Sequence, residues 1–348
     1  MNEPQDNLFR QTGRIEYIDI FRAFGIILMV MGHIEFGKSF DHFIHAFHMP
    51  MFFFVSGFLY KNKNTSFLTF LCGKAKSLLI PYFVFGLLRF FYYSIVNGFS
   101  FDRIEAILLF PNYGKVPICG AIWFLMALFF ADIIYFWVSK IENERIVWIV
   151  VIAISLTSQI IFTRFNIKLP FALNAAMVGI GLMHAGRAAR KYEQMIIDLR
   201  WYQIVVFGML AGLAIMQSDY VNMRVGTYPD VFILFWTNAI SASIIGMNIA
   251  KKIKGLFKNN LINRYLQSIG RNSIVYVCLN QAVIMLSYNI LHKGFVSFNI
   301  PTNNDLLITV LNLILTLAIL FLLSLLFEKT ILRVMIGRFS TKKPEVCV

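Results

Sequence analysis

From its N-terminus the chain alternates between apolar runs close to 20 residues long and short polar segments that carry most of its lysine and arginine. A hydrocarbon layer about 30 Å thick is crossed by about 20 helical residues. On that ruler, ten spanning helices are predicted over 16–35, 43–60, 77–97, 119–138, 146–163, 169–186, 201–217, 231–250, 268–291 and 305–328. No intervening segment is long enough for a separate soluble domain, and the longest, 98–118, holds the Pro/Gly-punctuated stretch FPNYGKVPICG. The pattern therefore predicts an all-α integral membrane protein. It forms one domain over 1–348, with a polar N-terminal segment 1–15 and a C-terminal tail 329–348.

Composition agrees, with 58% hydrophobic and only 14% charged residues, against about 25% charged in a soluble domain. A net charge of +14 would suggest nucleic acid as the partner of a soluble chain, but here the cations follow the loops. Counting alternate loops, with Arg271 at the near end of its span included, 23 of the 32 Lys and Arg fall on the side of the N-terminus and 7 on the other, with Arg22 and Arg89 deeper inside spans. The positive-inside rule then places both termini in the cytoplasm, with the bilayer as partner and no nucleic acid. Cys72, Cys119, Cys278 and Cys347 show no CxxC pairing, so neither a thiol metal site nor a disulfide framework is indicated. The first apolar run ends in Gly-His-Ile-Glu without a small-residue cleavage site and is predicted to stay as a helix.

Ionisable groups within a bilayer cost about 2.5–3.5 kcal/mol each on insertion scales, so each is a functional candidate. In DIFRAFGIILMVMGHIEF, residues 19–36, Arg22 and His33 are 11 positions apart. That is almost three helical turns, so both project from one face, about 16 Å apart. The stripe offers a cation for an anionic group and, three turns outward, an imidazole able to move a proton near neutral pH. The plainer alternative is that Arg22 snorkels to the interface, aided by Asp19, and that His33 is interfacial. Glu35, two residues on, faces away from His33, so a carboxylate behind His33 has to come from another helix.

The run DHFIHAFHMPMFFFVSGFLY, residues 41–60, places His42, His45 and His48 at spacing three. No carboxylate or Cys set flanks them to complete a metal site, so no metal is assigned. The proline after His48-Met49 and the Ser56-Gly57 pair indicate a helix entered through a turn and packed closely at small residues. Arg89, inside VFGLLRFFYY, lines the same cavity as the first-helix pair or snorkels. Lys74 and Lys76, in the loop before LLIPYFVFG, are topology determinants or phosphate contacts.

Together these residues resemble the membrane acyltransferase-3 family. YIDIFRAFGIILMVMGH is similar to the family's first helix, with a basic residue, ten positions, then histidine. FHMPMFFFVSGFLY resembles its second-helix motif, especially in the branch similar to fucose O-acetylases of bacterial surface polysaccharides. LLIPYFVFG, AIWFLMALFF and IGRNSIVYVCLN are similar to later blocks. The resemblance implies transfer of an acyl group, usually acetyl from cytoplasmic acetyl-CoA, to a hydroxyl of a surface or lipid-linked glycan in a bacterial cytoplasmic membrane. No cofactor is permanently bound. His33 corresponds to the family histidine and acts as general base or transient acyl acceptor. Arg22 is its basic partner, and Arg22, Lys74, Lys76 and Arg89 are the coenzyme-binding candidates.

Asp19, His48, Ser56, Trp123, Ser273 and Asn280 fall in or beside the matching blocks. Two departures stand out: where relatives carry Arg-x-x-Arg before the third helix this chain has Lys74 and Ser77, and where they often carry histidine it has Asn280. Asparagine donates a hydrogen bond but shuttles no proton. A transporter of a small amphiphile, with Arg22, Arg89 and His33 along its pathway, is the alternative, but no duplication into matching halves is evident.

Overall fold

The computed structural model describes residues 15–61, 65–112, 120–217, 220–258, 260–297 and 305–339. The N-terminal segment, Cys119, most of FPNYGKVPICG, Cys347 and the tail beyond Phe339 lie outside them. The described residues form α1 (Glu16–Ile34), α2 (Lys38–His45), α3 (His48–Phe58), α4 (Phe67–Asn97), α5 (Phe101–Leu108), α6 (Trp123–Val138) and α7 (Glu144–Phe165). These are followed by α8 (Leu173–Arg190), α9 (Glu193–Ile197), α10 (Trp201–Met216), α11 (Phe232–Leu256), α12 (Leu261–Arg271), α13 (Ser273–Ser297) and α14 (Asp305–Lys329). The extended pairing among them is an isolated bridge between Asn222 and Thr227.

Each of the ten predicted spans falls on helical structure, but among the described residues seven helices are long and apolar enough to cross a membrane. The other three runs differ for physical reasons. Residues 43–60 are split at Ala46-Phe47, where Phe47 leaves helical geometry (φ −144°) and α3 restarts with Pro50 in its first turn. At 11 residues, α3 is about 16 Å long, roughly half the hydrocarbon layer. Run 201–217 yields the 16-residue α10, and run 169–186 yields α8, whose last turns carry His184, Arg187 and Arg190. Run 268–291 is likewise interrupted, because α12 ends at Asn272 before α13 begins.

The third run is longer than predicted. α4 opens ten residues early at Phe67, after Ser66, whose Oγ caps the Thr69 N–H at 3.3 Å, and it passes through one π-helical stretch, Ala75–Leu79. Lys74 and Lys76 thus stand on a helix, where the sequence placed a loop.

α1 is central: it packs against α3, α11, α12, α13 and α14, and Ile18, Ile20, Ala23, Ile26 and Val30 are fully buried. α3 lies closest to α8. A Cβ on Gly57 would run into the Met183 carbonyl, and one on Gly186 into the Phe54 carbonyl, so the two backbones meet at reciprocal glycines. This contact fixes α3 despite its shortness, and α3 in turn supplies one wall beside α1.

Candidate functional site

The Arg22–His33 stripe of α1 opens at both ends. At the N-terminal end a cavity of about 480 Å³ is lined by Arg22, Lys61 and Lys74, by the hydroxyls of Ser56, Thr65, Thr69 and Ser77, and by the rings of Tyr60, Phe70 and Phe136. Cations, hydroxyls and flat rings in one cleft suit an anionic ligand with an aromatic part. Arg187 lies over the Tyr60 ring at 5.8 Å and adds a further cation beside it.

Lys74 is not simply offered to this cleft. Its Nζ is 2.8 Å from Oδ2 of Asp132 on α6, a carboxylate only 1% exposed. The π-helical stretch that follows Lys74 is where α4 and α6 meet. Ser77, in the second position of the expected basic pair, donates to the Lys74 carbonyl at 3.2 Å. Lys76 does not line the cavity and stands over Phe339 of the C-terminal segment at 5.8 Å.

At the other end of the stripe His33 is exposed to a second cavity, of about 550 Å³, which it shares with Arg89, Tyr92, Tyr93, Gln281 and Asn289. Arg89 is held in place from α13, donating to the Cys278 carbonyl at 2.7 Å and to Gln281 Oε1 at 3.5 Å. Of the coenzyme-binding candidates Arg89 therefore keeps company with His33 and not with Arg22. Between the cavities, Ile26 and Met29 occupy the same stripe and are 0% and 3% exposed. The two cavities are not joined along this face.

Above His33, α2 and the 220–228 loop form a polar cluster. His45 Nδ1 lies 2.9 Å from Asp41 Oδ1 and 2.9 Å from the Asp41 carbonyl. Tyr220 donates to Asp41 Oδ2 at 3.1 Å. Burial, reinforced by the Asp41 carboxylate, raises the Tyr220 phenol well above its usual range, so it stays protonated and remains the donor. His45 and Asp41 both reach α1 beside His33, 3.4 and 3.8 Å from a Cβ placed on Gly32. Asp41 is thus the nearby carboxylate supplied by another helix, while Glu35 serves as the left-handed C-cap of α1 (φ 66°) and points outward.

A family comparison decides what this two-ended arrangement belongs to. The acyltransferase domain model matches residues 15–327, nearly the whole chain and both cavities. The chain belongs to the acyltransferase-3 family. Membership indicates acyl transfer by a multi-pass membrane protein. No curated protein sequence matches it closely enough to count as a relative.

The remaining candidates of the acyltransferase are distributed over both ends and the core. Ser56 lines the Arg22 cavity. His48 is buried, its Nδ1 bonded to the Ile44 carbonyl at 2.9 Å and its ring edge-on to His45 at 4.9 Å. Asn280 is buried against α1 with Nδ2 4.0 Å from Met29 Sδ. Both Nδ2 hydrogens are directed to carbonyls of its own helix, at Tyr276 and Val277, which leaves Oδ1 as the group not accounted for among the described residues. Trp123 is core, edge-on to Phe124. Ser273 begins α13 beside Asn272, which bonds Glu328 and Arg338. Asp19 is buried under α12, where a Cβ on Gly270 would meet its carbonyl.

Sequence reading passed over Asp41, His45 as an acid–base group, Tyr220, Arg224 and Asp132. A signal existed for two of them, since Asp41 and His45 stand at i and i+4 in a helical stretch. The others come from a loop and from a helix distant in sequence, and no spacing reveals them.

Proposed function

We propose that this acyltransferase moves an acyl group, most simply acetyl, from cytoplasmic acyl-CoA to a hydroxyl of a surface or lipid-linked glycan, in a bacterial cytoplasmic membrane that its helices cross ten times with both termini inside. The observation that carries the proposal is the polarity of the α1 stripe. A cleft of cations, hydroxyls and flat rings stands at Arg22, and an accessible imidazole stands three turns away in a separate cavity. An extended pantetheine arm is comparable in length to that separation. With its phosphates and base held by Arg22, Lys61 and the rings of the first cavity, it brings its thioester to His33 once the Ile26 and Met29 side chains move aside. Met29 is an unbranched thioether suited to such a move. His33 then serves as base for the acceptor hydroxyl or takes the acyl group itself.

Export of an amphiphile would require Arg22, Arg89 and His33 along one open path. Ile26 and Met29 fill the interval instead, which favours a transfer between two sites over a conduit.

Replacing Arg22 by glutamine tests the donor end. Losing a charge-assisted phosphate contact of about 1.5–3 kcal/mol is expected to raise the acetyl-CoA concentration needed for half-maximal rate by about tenfold or more. The maximal rate changes little, because the contact exists in ground and transition states alike. Steady-state assays on purified protein in vesicles measure this, and an unaltered requirement removes Arg22 from the coenzyme site.

A further inference from the structure

Resting on the proposed acyl transfer, we infer that the site uses two histidines with separate jobs, His33 carrying the acyl group and His45 acting as general base on the acceptor hydroxyl, with Asp41 and Tyr220 as its positioning residues. The geometry that points to this is the placement of the carboxylate. A proton taken from a hydroxyl makes the base a cation, and the carboxylate in contact with an imidazole here is the one on His45, 2.9 Å from Nδ1.

The same contact fixes the tautomer. Nδ1–H donates to the Asp41 carbonyl, with the Asp41 carboxylate 2.9 Å from the same nitrogen, so Nε2 carries the lone pair. Tyr220, donating to the other carboxylate oxygen at 3.1 Å with its ring 5.2 Å from His45 and 6.2 Å from His42, keeps Asp41 from turning away. From below, Asn238 of α11 donates to the Ala46 carbonyl at 2.9 Å and anchors the turn after α2.

The ring also lies against α1. A Cβ built on Gly32 would sit 3.4 Å from His45 Cε1 and 3.8 Å from Asp41 Oδ1. The Cε1 edge of His45 therefore rests on α1 at the residue next to His33. His45 is 19% exposed on its side chain, enough for an acceptor hydroxyl to reach it. An oriented imidazole with a carboxylate behind it, next to an accessible second imidazole, is the arrangement in which one group accepts a proton while the other holds the electrophile.

The two steps balance. In the first, a His33 nitrogen bonds to the thioester carbonyl carbon, the carbon–sulfur bond breaks, and the coenzyme departs as a thiolate that takes a proton from water. In the second, the acceptor oxygen bonds to the acyl carbon, its proton passes to His45 Nε2, and the carbon–nitrogen bond to His33 breaks with the electron pair returning to the ring. His45 then gives up that proton to water at its own face of the membrane.

The test uses full-length protein in vesicles with radiolabelled acetyl-CoA. It compares label held on the protein, delivery of acetyl to hydroxylamine, which needs no base to attack, and acetyl content of surface glycans in cells producing each variant. For His45→Gln, protein labelling and hydroxylamine acetylation are expected at the unmodified level, with glycan acetylation lowered about 10²-fold or more. Asp41→Asn is expected to shift the same readouts in the same direction, and His33→Ala to lose all three. Normal glycan acetylation by His45→Gln overturns the inference, and so does loss of labelling and hydroxylamine transfer by that variant. Glycan acetylation by the unmodified protein without any protein-bound label overturns the two-histidine division while the proposed function stands. Absence of both overturns the proposed function itself.

Discussion

Replacing His33 by alanine is expected to lower acyl transfer by about 10²–10⁴-fold, the range attributed to a positioned acid–base group, and by more where the ring itself carries the acyl group. His33 ends a central helix, yet its side chain faces a cavity, with Met29 and Val30 of the preceding turn buried in its place. Truncation therefore removes chemistry without opening the core. Stability is expected to change by about 0.5 kcal/mol or less, as for surface substitutions. Acetyl content of surface glycans, read by mass spectrometry beside the thermal midpoint of the purified variant, separates the two effects. Loss of acetylation together with a collapsed midpoint assigns His33 a structural role, and intact acetylation removes it from the reaction.

Lys74 is expected to behave in the opposite way. Its partner Asp132 is 1% exposed and lies in the middle of α6. Lys74→Met leaves that carboxylate buried without its countercharge, at a cost of about 3–5 kcal/mol. Replacing both partners by apolar residues removes the stranded charge, so Lys74→Met combined with Asp132→Leu is expected to recover most of the loss. Thermal unfolding in detergent measures both. If the single variant unfolds normally and only its acetyl-CoA requirement rises, Lys74 is a phosphate contact and the pair carries little stability. If the double variant is as weak as the single, the ion pair is not what holds α4 against α6.

What the sequence could and could not reveal follows from where each interaction is encoded. The α1 stripe was legible because an 11-residue spacing and a helical period are both properties of one segment, and the structure puts Arg22 and His33 into the two cavities at its ends. The break between α2 and α3 was hidden because apolarity runs straight through Ala46-Phe47, while the geometry there is imposed by α11 holding the Ala46 carbonyl. Lys74 and Lys76 read as loop residues because lysine weakens a hydropathy window. α4 nevertheless continues through them, since Asp132 answers Lys74 from a helix almost sixty residues away.

If His33 has a carboxylate behind it, another helix must supply it; Asp41 on α2 is the candidate near α1. Its bond to Tyr220 joins positions far apart in sequence, and only the folded chain displays it. The later family blocks mark positions of mixed character, with Trp123 in the core and Asn280 packed against α1. A motif match gives no means of distinguishing these from residues that face a cavity.

The central claim, that the acyl group enters at the Arg22 end of α1 and leaves at the His33 end, is tested most directly by sidedness. Purified protein is sealed into vesicles of one orientation, with surface glycan enclosed and radiolabelled acetyl-CoA added only outside, so that donor and acceptor meet opposite faces. Label is expected on the enclosed glycan when the N-terminal end of α1 faces the donor, and not with His33→Ala. Equal labelling by the His33→Ala protein, or labelling only when donor and glycan share one face, would contradict the account.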